Sequence, residues 1–200
     1  MAAVVLSMII FALVGAISPG PVNIIATGAG ANFGFVKALP HVLGATVAYA
    51  LIVFLVGVGL NEVLLRFPQF TDVLQYIGGA FLLYMSFKIA TANPVDIEVV
   101  GQTMPPHFIE GALAQGLNPK AWLVSMSGVS LFVSAQNPAF FYLLVFCLVS
   151  FFMCLVGVGT WAVMGHLIGK YLSDSKHQVL FNRVMGVLLS STVITMFLQS

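Results

Sequence analysis

Charge is what this sequence has least of. Only 6% of its 200 residues are Asp, Glu, Lys or Arg, where soluble domains carry about 25%, and that scarcity excludes an ordinary soluble globule. It excludes intrinsic disorder too, which rests on low hydrophobicity and high charge. Seven basic against six acidic residues leave a formal net charge of +1, so no basic surface is present for nucleic acid. Cysteine is equally scarce. Cys147 and Cys154 stand seven apart in one apolar run, about 10 Å along a helix axis and too far for a disulfide. They read as small packing residues rather than as a redox dithiol pair. His41, His107, His166 and His177 are scattered, without partners at metal-ligand spacing. There is no Walker motif and no Ser/His or paired-Asp constellation. No catalytic residue, metal or cofactor is therefore expected.

What is present is hydrophobic, 60% of the chain. A spanning helix needs roughly 20 apolar residues, so the length holds six spans and short loops. Cut at charges and turn residues, the runs cover about 2–31, 38–60, 73–90, 108–134, 139–167 and 179–198. A polar loop over 92–106, with Asn93, Pro94, Asp96, Glu98, Pro105 and Pro106, divides them three and three. The first run is longer than the apolar core of a signal peptide and no Lys or Arg precedes it, so it is expected to be a span. Lys37, Lys88, Lys170, Lys176 and Arg183 fall on one side of such a bundle and only Arg66 on the other. The positive-inside rule then predicts that both termini face the periplasm.

The chain also resembles itself at an offset of one hundred. Leu55-Val56-Gly57-Val58-Gly59 recurs as Leu155-Val156-Gly157-Val158-Gly159, Pro19 matches Pro119, and Gly28 matches Gly128. The expected organisation is a single transmembrane domain, 1–200, with repeat one at 1–91 and repeat two at 107–200. Three spans per repeat make the second enter the membrane from the opposite side. The fold class is thus an all-α integral membrane protein of six helices in two inverted three-helix repeats, an arrangement common among secondary transporters.

Breakers fall at equivalent places in the two repeats. Span one is interrupted by Ser18-Pro19-Gly20-Pro21 and span four by Asn118-Pro119-Lys120. In each, an N-cap residue precedes a proline suited to a first helical turn. Helices 1 and 4 are therefore expected to be broken, each into two half-helices. A half-helix start leaves backbone N–H groups unpaired, here on Gly20, Val22 and Asn23, and its dipole suits a carboxylate. The opposed half-helix end offers bare carbonyls to an ammonium or to the carrier of a coupling proton. Lys120 opposes the dipole of its own helix and is expected to meet an anion, either Glu110 or a substrate carboxylate. Asn23, Gln115, Tyr49, Tyr84 and Trp122 are further candidates to line a cavity. Gly57/Gly59 and Gly157/Gly159 are expected to mark close helix crossings.

At these residues the chain resembles the LysE/RhtB superfamily of bacterial amino-acid exporters. The resemblance rests on SPGP at 18–21 with Asn23 behind it, Gly34 and Gly44 around the second span, and YIGGAFLLYMSFK at 76–88. FIEGALAQGLNPKAW at 108–122 and RVMG at 183–186 continue it along nearly the whole chain. It implies an inner-membrane exporter of amino acids or close derivatives that works by proton antiport. A small zwitterionic amino acid is the expected substrate, and a homodimer the candidate assembly. It places Pro19, Gly20, Pro21, Asn118, Pro119 and Lys120 in the signature motifs. The KIAT segment at 88–91 looks closest to the cysteine and O-acetylserine exporters. Glu110 stands where that family more often has an apolar residue. The rival reading is a structural or assembly subunit that moves no solute.

Overall fold

A computed structural model describes residues 2–60, 68–91, 104–134, 136–171 and 174–198. Among them all regular structure is helical: α1 (Ala2–Ile17), α2 (Pro21–Phe33), α3 (Phe35–Leu55), α4 (Pro68–Ala90), α5 (Phe108–Gly116), α6 (Pro119–Val129), α7 (Ala139–Gly169) and α8 (Ser175–Leu198). α3 ends in a kink over Val56–Leu60, where Gly59 has φ 110° and ψ 2°, and α6 runs into a wide, π-type turn over Ser130–Ser134.

The first apolar run is two helices. α1 and α2 are bent by 63° across the Ser18–Gly20 break, and the run at 108–134 divides likewise into α5 and α6 at Leu117–Asn118. α3 with its kinked end (Phe35–Gly59) and α7 (Ala139–Gly169) are each long and apolar enough to cross a membrane alone, and α1 with α2 as a bent pair makes a third such unit. One boundary differs clearly from the sequence reading. The turn placed at 32–37 shrinks to Gly34, whose φ of 83° and ψ of 161° form a backbone only glycine adopts easily. The Gly34 N–H closes α2 on Gly30 O at 3.0 Å, and Gly34 O opens α3 by accepting from Ala38 N at 3.2 Å. Arg66 and the loop read at 92–106, as far as 103, lie outside the described residues.

Apolar side chains cover the exterior. Leu144, Leu148, Phe152 and Val156 line the outer face of α7 at helical spacing, as do Leu6, Ile10 and Val14 on α1, each exposed. Polar side chains lie inside instead: His41, Thr46, Ser125, Ser150 and Asn182 are fully buried. That distribution suits a hydrocarbon solvent, which leaves polar groups to be satisfied within the protein.

With no hydrophobic force between helices in lipid, close contact depends on small residues. α2 crosses α7 where Gly165 faces the Thr27 carbonyl and Gly30 faces the Ala162 carbonyl, so that any Cβ there would overlap backbone. Gly44 and Gly111 do the same where α3 meets α5. Gly57 abuts Leu143 and Gly157 abuts Ala16, as expected of crossings, whereas Gly59 and Gly159 have no close neighbour among the described residues. The remaining large contacts join α1 to α7, α3 to α7, and α4 to α8. In the last, Ser86 Oγ donates to Gly186 O at 2.8 Å and lies 2.6 Å from Ser190 Oγ.

Candidate functional site

A helix that stops inside a bundle leaves carbonyls without partners, and every carbonyl at the end of α1 has found one. Val14 O accepts from Ser18 N at 3.1 Å. Gly15 O accepts from Ser18 Oγ at 3.0 Å, Ala16 O from Asn23 Nδ2 at 2.8 Å, and Ile17 O from Trp161 Nε1 at 2.9 Å. Ser18 O accepts from Asn23 Nδ2 at 2.9 Å and from Lys120 Nζ at 3.0 Å. The second half-helix opens at Gly20, which is extended (φ −174°) and has no side chain to cap with, followed by Pro21 in the first turn. Ser18 therefore closes α1 and is not the N-cap of α2, contrary to the sequence reading. Val22 and Asn23, second and third in α2, carry the first-turn N–H groups that no intrahelical carbonyl can reach.

The α5/α6 break is closed by shorter-range means. Asn118 is the N-cap as expected, with Oδ1 accepting from Lys120 N at 3.2 Å and Pro119 following in the first turn. Its Nδ2 reaches Gln115 Oε1 at 3.4 Å. Gly116 O, at the end of α5, accepts from Trp122 Nε1 at 2.8 Å.

Lys120 joins the two breaks. Its ammonium has three N–H donors and makes three contacts: Ser18 Oγ at 2.6 Å, Ser18 O at 3.0 Å and Pro19 O at 3.2 Å. The expected protein partner, Glu110, is not among them. Glu110 sits in the first turn of α5, where one carboxylate oxygen accepts from His107 N at 2.9 Å and the other pairs with Lys88 of α4. It is an ion-pair residue, but with Lys88. A negative end of α1 thus takes the place of an anion for Lys120.

Around this junction lies a small crevice with a cavity volume of about 40 Å³. Of the expected site residues, Gly20, Asn23, Asn118 and Lys120 line it, with Val22, Tyr49, Gln115 and Cys154. Pro19, Pro21 and Pro119 shape the two turns without lining it, and Glu110 lies elsewhere. Asn23 commits its amide N–H groups to α1, so its carbonyl oxygen is what it has left for a ligand. Gln115 conversely has its NH2 group left. Trp161 was missed from the sequence because its partner, Ile17, is 144 residues away. Cys147 and Cys154 are free thiols. A second, larger hollow of about 280 Å³, lined by Asn32, Met85, Lys88 and Met104 among others, opens between α2, α4 and the segment before α5.

Residues 13–199 match the family model described as LysE type translocator. The cysteine/O-acetylserine efflux protein of Salmonella typhi is 26% identical over 191 residues, covering 94% of each chain. That of Escherichia coli O1:K1 is 27% identical over 188 residues, again 94% of each. No solved structure matches the chain.

Proposed function

The chain belongs to the LysE type translocator family, and from that premise we propose that it exports small zwitterionic amino acids or close derivatives. It is a multi-pass membrane transport protein, not an enzyme. The observation that carries the proposal is the pairing of half-helix ends at one crevice. The start of α2 presents the N–H groups of Val22 and Asn23, and the end of α1 presents the Ser18 and Pro19 carbonyls. A carboxylate suits the first and an ammonium the second, so the crevice matches both charges of a zwitterion.

In this reading Pro19, Gly20, Pro21 and Asn23 build the site from one repeat, and Asn118, Pro119 and Lys120 from the other. Lys120 marks the ammonium position by occupying it. The six spans form two inverted repeats, 1–91 and 107–200, joined by the loop at 92–106. The Ser86–Gly186 contact supports this, since equivalent residues one hundred apart meet across the pseudo-twofold axis. The α4–α8 and α3–α7 pairings support it likewise, each joining equivalent spans. Transport then proceeds by alternating access, the repeats rocking about the crevice in exchange for protons. The inner membrane is the expected location, with both termini periplasmic. Relatives named for cysteine and O-acetylserine efflux make those solutes the first to try.

The test is efflux from proteoliposomes of the purified protein over a panel of amino acids. A small neutral amino acid is expected to leave faster than from protein-free vesicles. Asn23→Ala, which frees the α1 carbonyls and removes a crevice amide, is expected to slow it about tenfold, a buried hydrogen bond or two. Efflux of no solute by folded protein returns the chain to a structural subunit. Wild-type rates in both Asn23→Ala and Pro19→Ala remove the site from this crevice.

A further inference from the structure

Three donors on Lys120 meet three oxygens, and no carboxylate balances the charge. Among the described residues Lys120 has no acidic partner, Glu110 being paired with Lys88. The Ser18 hydroxyl gives its own proton to Gly15 O, so only its lone pairs face the ammonium. Ser18 O, Ser18 Oγ and Pro19 O thus converge on one point at the negative end of a half-helix. In broken-helix transporters such ends hold the coupling cation.

We propose that these three oxygens are a monovalent-cation site, that Lys120 fills it with a tethered ammonium, and that this ammonium and the substrate's own ammonium exclude one another from it. The proposal rests on the crevice being the substrate site. When Lys120 gives up a proton to water in the crevice, its neutral amine no longer holds the oxygens, and the substrate's ammonium donates to them instead. When the substrate leaves outward, Lys120 takes up a proton and returns. One positive charge occupies the site in either state, so each substrate bound releases one proton. Antiport follows from competition for three oxygens, with no separate proton carrier and no sodium ion.

Among the described residues, few other titratable groups face the junction. Tyr49 on α3 and Cys154 on α7 are the titratable side chains that share the crevice with Lys120. His41 on α3 is fully buried and meets Val22 O at 3.4 Å, on the α2 side of the break.

The experiment measures substrate affinity against pH on purified protein, together with proton release in weak buffer. Wild type is expected to bind up to about tenfold more weakly for each pH unit of acidification, as one-proton linkage requires, and to release one proton per substrate. Lys120→Ala is expected to bind with a flat pH profile, to release none, and to exchange substrate without responding to a pH gradient. Lys120→Arg stays charged at all working pH and is expected to bind substrate at least tenfold more weakly throughout. His41→Gln should keep the wild-type slope. A wild-type pH slope in Lys120→Ala, or a slope lost in His41→Gln, overturns the proposal.

Melting temperature gives a readout independent of any amino acid. Sodium or potassium chloride, compared with N-methylglucamine chloride, should stabilise Lys120→Ala and leave wild type unmoved. No stabilisation of the folded variant by either ion overturns the cation site even if export is established. If the stabilisation is seen and no amino acid binds, the cation site stands and the substrate reading fails.

Discussion

Trp122 and Trp161 perform one task at two places, each giving its indole N–H to the last carbonyl of a half-helix that ends inside the bundle. Phenylalanine keeps most of the ring and removes the donor. Trp161→Phe is therefore expected to lower stability by about 1 kcal/mol, the usual net worth of one hydrogen bond, in thermal melts of the detergent-solubilised protein. Asn118→Ala should cost a similar amount, about 1 kcal/mol for a lost N-cap, and Asn118→Ser should restore most of it. How far such roles were legible depends on the range of the contact. Asn118 acts on Lys120 N, two residues away, so the Asn-Pro pair announced its cap. Ser18 carried the same local signature, yet the extended Gly20 took the cap position and Ser18 turned to Lys120. Nothing local distinguishes these cases, because the deciding partner lies 102 residues along the chain.

At the scale of elements, apolar runs and prolines revealed the helices and their breaks, while glycine decided how they join and cross. Gly34 alone turns α2 into α3. Its φ of 83° with ψ of 161° is a region essentially reserved for glycine, and Gly34→Ala is expected to cost about 1–3 kcal/mol in backbone strain, read as a lower melting temperature. Gly165 bears on the Thr27 carbonyl, where a side chain has no room. Gly165→Leu should prise α2 from α7 and lower both stability and folded yield in size-exclusion chromatography. Sequence spacing could not separate Gly57 and Gly157, which sit in crossings, from Gly59 and Gly159, which do not. Adjacent-but-one residues on a helix face different ways, and only the neighbour's position says which is covered.

For the molecule as a whole, residues 86 and 186, one hundred apart, meet where α4 packs on α8. Ser86 of α4 and Ser190 of α8 hold their hydroxyls 2.6 Å apart, close enough that a cysteine pair there is expected to bond. With Cys147 and Cys154 first changed to Ser, the Ser86→Cys/Ser190→Cys protein should cross-link on oxidation. Efflux should then stop and return on reduction, if the repeats must move past one another at this seam. Unchanged efflux in the cross-linked protein would place the motion elsewhere. The sequence also drew Glu110 and Lys120 together, since both are charges in one apolar run. The fold parts them because α5 and α6 point away from their common break, sending Glu110 to Lys88.

The indole bonds at the breaks have an optical consequence. The chain contains two tryptophans, one bonded at each break, so its tryptophan emission comes from the two breaks. Any rearrangement that loosens the end of α1 or α5 changes the polarity around an indole and shifts its emission, without a label. Trp122→Phe leaves Trp161 as the lone emitter and reports the first break alone, and Trp161→Phe reports the second. Titrating solute into each single-tryptophan protein would reveal whether the two breaks respond together or in turn.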